Sequence, residues 1–388
     1  MLAFTATKLM TPTATVEHPL VLVAEGKIVE ITVRQARPVP AGTQTLDLGD
    51  GVIAPGYLDL HIHGGAGFDV MDDSADALPA VERLLARHGV TGYYPTTVTA
   101  PLDATLSELE RLADAIESRS EADKTERRAC PLGIHLEGPF ISHVRKGVHP
   151  AANLLPPKLE TFEHFWQAAR GRVRMMTIAP ELEGSAEVIV EAVRCGVCVS
   201  LGHSDADFDA AERGVAAGAR HATHTFNAMR PLDHRDPGIL AAVLTDSRLS
   251  ADIIADGVHL DPAIVKLVAN AKGVEQTVLI TDATAATGMP EGRYHLGSLE
   301  FEVKDGRCMA DGKLAGSILT MDRAVRNLSR FAGWSLSHAV AAASRNPARV
   351  AGFANKGVLT VGADADFVAL NSAGEVLRTF VGGLECSA

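Results

Sequence analysis

Eight apolar, β-rich runs alternate in the central part of this chain with segments of helical periodicity. The runs include TGYYPTTV at 91–98, VRMMTIAPE at 173–181 and TVLITDATA at 277–285, and the helix candidates include ADALPAVERLLARHG and SDADFDAAERGVAAGA. This alternation is typical of successive βα units that build a parallel sheet. Eight parallel strands with intervening helices predict a closed (β/α)8 barrel of TIM type.

Short β patterns with turn residues flank this central region on both sides. Residues 1–54 contain VLVAEGKIVEITV, and residues 353–388 contain KGVLTVGADADFVALN. We therefore expect a small, discontinuous β-sandwich built from 1–54 and 353–388 beside a barrel at 55–352. A Gly-rich stretch around 290–316 predicts an inserted β hairpin near the barrel mouth.

Composition excludes several classes of partner. A net charge of −12 repels a phosphate backbone, so no nucleic-acid partner is expected. No apolar stretch approaches the roughly 20 residues that cross a bilayer, and the start lacks a signal pattern, so we expect no membrane partner and a cytoplasmic location. Five scattered cysteines argue against a disulfide framework, and the pair Cys195 and Cys198 is interpreted as structural.

Polar side chains that are unusual in a barrel core fall at the ends of the predicted strands, where barrel enzymes build their active sites. They are His61 and His63 on the first run, Glu137 on the third, His203 on the fifth, His224 on the sixth, His259 on the seventh and Asp282 on the eighth. Imidazoles and carboxylates suit Zn²⁺, and Fe²⁺, Mn²⁺ or Co²⁺ accept the same ligands. The sequence predicts a site for one or two divalent cations.

These residues also have interpretations that involve no metal. His61 and His63 share one face of a strand because they are two residues apart, although an HxH spacing also arises by chance. Glu137 is alternatively a buried carboxylate paired with Arg145 or a neighbouring lysine. Asp282 is equally suited to cap the helix that follows its strand.

Two further histidines stay ambiguous when only spacing is considered. His135 lies two residues before Glu137 and shares its face. We interpret it as a core histidine whose hydrogen bonds are satisfied, rather than as a residue that supports a metal ligand by hydrogen bonding to it. His221 and His224 are three residues apart, so on a strand they face opposite sides and only one looks inward. Spacing does not decide which one.

Several motifs resemble those of the N-acetylglucosamine-6-phosphate deacetylases, which are members of the amidohydrolase superfamily. These motifs are APGYLDLHIHGGAGFD, HLEGPF with KGVHP, LGHSDA, HTFNAM with HRDPG, ADGVHL and LITDA. They are distributed over nearly the whole chain. The resemblance implies a barrel with a small sandwich from both termini, and removal of acetate from N-acetylglucosamine 6-phosphate to give glucosamine 6-phosphate.

The resemblance also assigns roles in a metal site. Members that keep both histidines of the HxH hold two ions, so we expect two sets of ligands that share one glutamate. One set is His61, His63, Glu137 and Asp282, and the other is Glu137, His203 and His224. Asp282 matches the catalytic aspartate, which takes a proton from the attacking water and returns it to the departing amine, while His149 helps to stabilise the oxyanion. His221 is left as structural.

The substrate-binding residues are implied in the same way. They are Val148, His149, Asn227, Ala228, Arg235, His259, Leu314, Ala315 and Gly316. Arg235 is expected to reach from the neighbouring subunit of a homodimer to the substrate phosphate, which a guanidinium binds bidentately. Without the resemblance, Arg235 is interpreted as a solvated loop charge beside Asp233 and Asp236.

Other functions fit less of the chain. Related hydrolases of cyclic amides or aminated purines usually bridge their metals through a lysine on the fourth strand, and VRMMTIAPE contains none. The epimeric substrate, N-acetylgalactosamine 6-phosphate, is a closer alternative. A non-catalytic metal-binding or scaffolding protein is expected to lack one of the metal ligands or the catalytic base. This chain contains all of the expected ligands and Asp282, so this alternative is disfavoured.

Overall fold

A computed structural model describes residues 1–11, 14–122 and 126–387 of the chain, without the side chains of 119–122. Residues 12–13 and 388 of the predicted sandwich lie outside the described residues. Seven strands precede the barrel: β1 (Leu2–Thr5), β2 (Lys8–Met10), β3 (Thr15–Glu17), β4 (Pro19–Ala24), β5 (Lys27–Val33), β6 (Gln44–Asp47) and β7 (Val52–Pro55).

Strands and helices then alternate as the sequence predicts. The elements up to the fourth barrel strand are β8 (Tyr57–Ile62), β9 (Gly64–Gly65), β10 (Phe68–Asp69), α1 (Ala77–Arg87), β11 (Val90–Thr97), α2 (Leu102–Ala122), β12 (Cys130–Pro131), β13 (Ile134–Glu137), a 3-10 turn (Ala151–Asn153), α3 (Leu159–Ala168) and β14 (Val173–Ile178). Those after it are α4 (Ser185–Arg194), β15 (Cys198–Leu201), α5 (Phe208–Ala217), β16 (His221–Ala222), α6 (Gly238–Thr245), β17 (Ser250–Ile254), α7 (Pro262–Gln276) and β18 (Thr277–Ile280).

The barrel consists of β8, β11 and β13 to β18, which neighbour one another in that order and run parallel. A bridge between Ile62 and Ala283 joins the ends of the first and eighth strands, so the sheet nearly closes on itself. Apolar side chains of the barrel and of its outer helices form one large buried core. The (β/α)8 barrel that the sequence predicts is confirmed.

The first apolar run of the sequence divides at Gly56 into strands of two different sheets. β7 pairs with strands outside the barrel, whereas β8 pairs with β11 inside it. A Cβ atom on Gly56 would lie 2.4 Å from Cγ2 of Thr91, so only glycine permits this close approach. This position separates the outer sheet from the barrel.

Capping residues hold the starts of two helices at the barrel mouth. The Asp207 carboxylate accepts a hydrogen bond of 2.7 Å from the backbone N–H of Ala210 at the start of α5. Asp261 does the same for Ala263 at 2.8 Å, and Pro262 begins α7, where a missing N–H has no consequence. These caps fix the loops that leave the carboxyl ends of the strands.

A small antiparallel sheet follows the eighth barrel strand. Its four strands are β19 (Gly292–Leu296), β20 (Leu299–Lys304), β21 (Arg307–Ala310) and β22 (Lys313–Leu314). The sequence predicts a single hairpin around 290–316, and the structure extends it because Gly297, Gly306 and Gly312 adopt positive φ and reverse the chain three times.

Three helices and three strands complete the chain, and the strands join one of the two sheets in which the chain began. These elements are α8 (Met321–Ala332), α9 (Leu336–Ala343), α10 (Arg345–Val350), β23 (Phe367–Leu370), β24 (Val376–Val381) and β25 (Leu384–Glu385). β23 pairs antiparallel with β7, so one sheet has the order β25-β24-β23-β7-β2-β3. A second sheet has the order β5-β4-β1-β6.

The two outer sheets share one hydrophobic core. The ring of Phe4 in β1 lies 4.8 Å from that of Phe367 and 5.3 Å from that of Phe380, measured between centroids. Both ends of the chain therefore build this sandwich, while the boundaries at 54/55 and 352/353 stay predictions. Among the described residues, no helix is long and apolar enough to span a bilayer.

We expect Phe367→Ala to destabilise the protein by about 3–5 kcal/mol, because it removes a buried ring from the core that both chain ends share. Leu377→Ala is the control, since this side chain on the same sheet is already 56% exposed, and we expect a change below about 0.5 kcal/mol. Urea unfolding followed by tryptophan fluorescence and circular dichroism measures both. Equal effects of the two substitutions would contradict a shared core.

Candidate metal centre and active site

Five imidazoles and two carboxylates converge at the carboxyl end of the barrel strands, and all seven side chains are buried. The Nε2 atoms surround the carboxylate of Glu137: those of His61, His203 and His224 lie 3.4, 3.2 and 3.1 Å from Oε1, and those of His63 and His149 lie 3.2 and 3.5 Å from Oε2. Oδ1 of Asp282 lies 3.2 Å from Nε2 of His63 and 3.6 Å from that of His61. Of the histidine pair left open by spacing, His224 faces this cluster.

Hydrogen bonds at Nδ1 determine which nitrogen of each ring faces the cluster. Three rings donate to backbone carbonyls: His63 to Thr96 at 3.0 Å, His203 to Arg145 at 2.9 Å and His224 to Asn227 at 3.1 Å. Because a carbonyl oxygen only accepts, Nδ1 carries a proton in each ring, so Nε2 faces the carboxylates and offers them a lone pair whenever the ring is neutral. Lone pairs and carboxylate oxygens at these distances repel unless a cation or a proton lies between them.

This set of donor atoms fits divalent metal ions. The Nε2 atoms of His61 and His63 are 3.2 Å apart, and those of His203 and His224 are 3.0 Å apart. Ligand atoms of His61, His63 and Asp282 all lie within 4.8 Å of one another, which is close enough for one ion. Imidazole nitrogens with carboxylate oxygens are the ligands of Zn²⁺ and of neighbouring transition metals.

His149 belongs to the same cluster but presents the opposite tautomer. Its Nδ1 accepts a hydrogen bond of 3.3 Å from the backbone N–H of Thr99 and lies 2.8 Å from the hydroxyl of that residue. The proton is therefore on Nε2, which faces Glu137. Ligand atoms of Glu137, His149 and His203 also lie within 4.8 Å of one another, but a protonated Nε2 cannot bind a metal, so His224 is the better third ligand.

The pKa values of the cluster follow from burial and mutual charge. Burial raises the pKa of Glu137, but the surrounding imidazoles outweigh it and hold the pKa well below its ordinary value. For Asp282 the same balance lowers the pKa to about 2. Burial disfavours the charged form of His63 and His224, yet the carboxylates raise the pKa of His63 well above its ordinary value and that of His224 to about 9. In His203 burial prevails and lowers the pKa to about 4.

A layer of buried polar groups lies beneath the cluster. The Asp59 carboxylate in β8 accepts a hydrogen bond of 2.5 Å from the hydroxyl of Thr281 and so joins the first barrel strand to the end of the eighth. Nδ1 of His135 donates to the carbonyl of Leu60 at 3.2 Å, and Nε2 lies 2.8 Å from the hydroxyl of Thr177. His135 is therefore a satisfied core histidine that supports the strands.

Three members of the cluster have left-handed backbone. The φ angles of His203, His224 and Asp282 are +46°, +30° and +50°. Non-glycine residues in this region are strained by about 1–3 kcal/mol each, and such strain concentrates at functional sites. The backbone N–H of Asp282 donates to the carbonyl of His61 at 2.9 Å, which holds the strained turn against the first strand.

The cluster forms the floor of a cavity of about 310 Å³ that opens to solvent. Most of the substrate-binding residues predicted from the resemblance line it: Val148, His149, Asn227, Ala228, His259, Leu314 and Gly316. Nδ1 of His259 lies 2.8 Å from Oδ2 of Asp256, which directs Nε2 away from that carboxylate. The volume is within the range of small-molecule sites.

Two residues of the same prediction lie elsewhere. Ala315 is fully buried in the core of the four-stranded sheet with Phe301 and Val303, so its methyl group does not line the cavity. Arg235 is exposed in the loop before α6, where its backbone N–H donates to Asp233 at 2.8 Å. Its guanidinium forms no ion pair with any other described part of the chain.

The cavity wall also contains residues that the sequence did not single out for substrate binding. They are Val98, Val144, Arg145, Gly147, Leu296 and Lys313. Lys313 donates from Nζ to the carbonyl of Gly147 at 3.3 Å, and this contact joins β22 to the loop after β13. Its only sequence signal is its position directly before Leu314, because the turns of the inserted sheet bring it to the cavity.

Comparison with known proteins agrees with this geometry. Residues 52–385 match the model of the amidohydrolase family. N-acetylglucosamine-6-phosphate deacetylase of Bos taurus is 41% identical over 353 residues, covering 87% of this chain and 84% of the relative. N-acetylgalactosamine-6-phosphate deacetylase of Escherichia coli O157:H7 is 36% identical, covering 97% of each chain.

A solved structure extends the likeness to the fold. A mutant of N-acetyl-D-glucosamine-6-phosphate deacetylase from Mycobacterium smegmatis, in complex with N-acetyl-D-glucosamine-6-phosphate, superposes with a TM-score of 0.91 at 34% identity, covering 99% of this chain and 98% of that one. The family match covers most of the chain, and the similarity to these relatives runs through both the barrel and the outer sheets. The chain therefore belongs to the amidohydrolase family, in the group of the N-acetylglucosamine-6-phosphate deacetylases.

Proposed function

We propose that this protein hydrolyses the acetamide of N-acetylglucosamine 6-phosphate to give glucosamine 6-phosphate and acetate. The observation that carries the proposal is the cluster of metal-type ligands, with Asp282 and the donor Nε2 of His149, on the floor of a cavity of sugar-phosphate size. Relatives that are named N-acetylglucosamine-6-phosphate deacetylase, at 35–41% identity, support this choice of substrate.

We propose that two divalent cations share Glu137. One is held by His61, His63, Glu137 and Asp282, and the other by Glu137, His203 and His224. When bound, the metal supplies Lewis acidity, which activates a water and polarises the acetamide carbonyl. Zn²⁺ is our first choice because the ligands are rich in imidazole, and Fe²⁺, Mn²⁺ and Co²⁺ suit the same atoms.

Asp282 is proposed to carry the proton between the attacking water and the departing amine. Its lowered pKa keeps the carboxylate ionised at neutral pH, which is the protonation state that a proton acceptor requires. The protonated Nε2 of His149 is proposed to donate to the acetyl oxygen as negative charge develops there. Both groups are part of the cavity floor, against which the scissile bond is proposed to lie.

The remaining wall is proposed to bind the sugar phosphate. Asn227 and Ala228 follow β16 and His259 follows β17, and they line the cavity together with Val148, Leu314 and Gly316. Ala315 is proposed to act through its backbone, since its methyl group is buried. Arg235 is proposed to bind the phosphate of the substrate that lies in the neighbouring subunit of a homodimer. Its guanidinium is exposed and has no ion-pair partner in the described part of this chain.

Acetate release from N-acetylglucosamine 6-phosphate tests the function directly. We expect chelation to abolish release and a divalent cation to restore it, because the cluster requires a cation to activate water. The epimer N-acetylgalactosamine 6-phosphate, assayed in parallel, is expected to have the lower kcat/KM. Absence of release from both sugars by metal-loaded protein would refute the proposal, and faster release from the epimer would reassign the substrate.

Asp282→Asn is expected to lower kcat by about 10²–10⁴-fold, because the amide keeps the shape of the side chain but cannot take a proton. Acetate release and metal content are measured on the same preparation. Asp114→Asn is the control. This exposed carboxylate on an outer helix pairs with Arg170 and does not line the cavity. Near-normal turnover of Asp282→Asn with metal bound would exclude the proton-carrier role.

Mixing two inactive variants tests whether Arg235 acts across a dimer. Arg235→Ala and Asp282→Asn are each expected to be inactive or weakly active alone. In a mixed dimer, the subunit with intact Asp282 receives Arg235 from its partner, so an equal mixture should recover activity at roughly a quarter of the sites. A mixture no more active than its components would show that Arg235 serves its own subunit or no site at all.

A further inference from the structure

A buried pair of an acid and an imidazole lies directly behind the cluster. Asp252 on β17 and His221 on β16 are both completely buried, and Oδ2 of Asp252 lies 3.0 Å from Nε2 of His221. A carboxylate in the interior is destabilising unless strong donors meet it. None of the chemistry proposed above uses either residue.

The second oxygen of Asp252 contacts the backbone of a proposed metal ligand. Oδ1 accepts a hydrogen bond from the backbone N–H of His224, and the carbonyl of Asp252 accepts one of 2.9 Å from the N–H of Thr225. One residue therefore binds two successive amides at the point where the chain leaves β16. Because β16 is only two residues long, its own ladder does not extend to this turn.

The turn requires such support because its backbone is strained. His224, Phe226 and Ala228 all have positive φ, of +30°, +81° and +51°. Non-glycine residues stay in this region only where their surroundings over-determine the conformation. A hydrogen bond from an amide to a carboxylate is among the strongest that a backbone can form, so Asp252 is well suited to this task.

His221 in turn fixes the orientation of the Asp252 carboxylate. Nδ1 of His221 lies 2.7 Å from the hydroxyl of Ser250, and this hydroxyl donates to the carbonyl of Arg220 at 3.2 Å. The imidazole is thus held at both nitrogens. With Oδ2 directed to His221, Oδ1 is left to face the amide of His224.

We propose that Asp252, oriented by His221, is a positioning residue that fixes the backbone of His224 and thereby the direction of its imidazole toward Glu137. This inference rests on the proposed metal site. Its consequence is that a residue which touches neither metal nor substrate controls the affinity of the site. Partners behind metal ligands typically alter metal affinity by about 10–100-fold.

Co²⁺ titration of the apoprotein, followed by visible absorption, tests the proposal without requiring turnover. Asp252→Ala is expected to bind Co²⁺ about 10–100-fold more weakly, with an altered spectrum, because His224 loses its orientation. Asp252→Asn keeps an acceptor oxygen for the amide and is expected to restore most of the affinity. Hydrogen exchange of the peptide 221–229 is expected to accelerate in Asp252→Ala, since the amide of His224 loses its acceptor.

Asp366→Ala is the matched control. Asp366 is also buried, accepts a backbone hydrogen bond of 2.8 Å from Gly382 and lies 2.7 Å from a cationic side chain, that of Lys356, but it belongs to the outer sandwich. It is expected to lower stability and to leave the Co²⁺ spectrum unchanged. A merely structural role of Asp252 would make the two alanine variants alike.

Wild-type Co²⁺ affinity and spectrum in Asp252→Ala would overturn the inference, as would an equal change in Asp366→Ala. Should Asp252→Ala not fold, His221→Phe supplies the second test: it releases the carboxylate, and an unchanged spectrum in that variant also overturns the inference. Failure of the proposed function is distinguishable, because it appears as a wild-type protein that binds metal and releases no acetate.

Discussion

The carboxylate of Glu137 is buried within 3.1–3.5 Å of five imidazole nitrogens. A buried negative charge is expensive unless cations or donors surround it, and here the compensating groups come from different barrel strands and from the loops that follow them. No local segment can supply them. The compensation exists only when the barrel is closed, so the stability of the site and the completion of the fold depend on the same contacts.

The histidines around this carboxylate differ in chemistry although they share a residue type. Nδ1 of His203 donates to a backbone carbonyl, whereas Nδ1 of His149 accepts from a backbone amide. The first ring therefore offers a lone pair to the cluster, and the second offers a proton. The backbone behind each ring, rather than the ring itself, separates metal ligands from hydrogen-bond donors.

Local patterns predicted the barrel and the strand-end positions of six of the seven cluster residues, whereas His149 was implied only by the resemblance. Apolar runs that alternate with helical periodicity identify the strands, and residues such as His61, Glu137 and Asp282 lie where those runs end, so parallel strands must bring them together. Spacing did not distinguish His221 from His224, because β16 ends after two residues and the chain then turns with a left-handed backbone. That turn depends on a neighbouring strand.

Contacts between distant segments account for the other omissions. Asp252 was visible only as a carboxylate in the middle of the apolar run LSADIIADGVHL, and its partners lie on the preceding strand. The wall position of Lys313 follows from three reversals of the inserted sheet, which a Gly-rich composition predicts only as a hairpin. The inward burial of Ala315 likewise depends on the register of β21 and on the core around Phe301.

The packing of Phe4 against Phe367 has a consequence for co-translational folding of the protein. The first strands emerge early, but the sheet that covers them contains strands near the other end of the chain. Until those strands leave the exit tunnel, the apolar face of β1 and β4 lacks the part of its native cover that Phe367 and Phe380 supply, and exposed apolar surface of this kind favours aggregation. The topology thus delays completion of the sandwich core until nearly the whole chain has been synthesised.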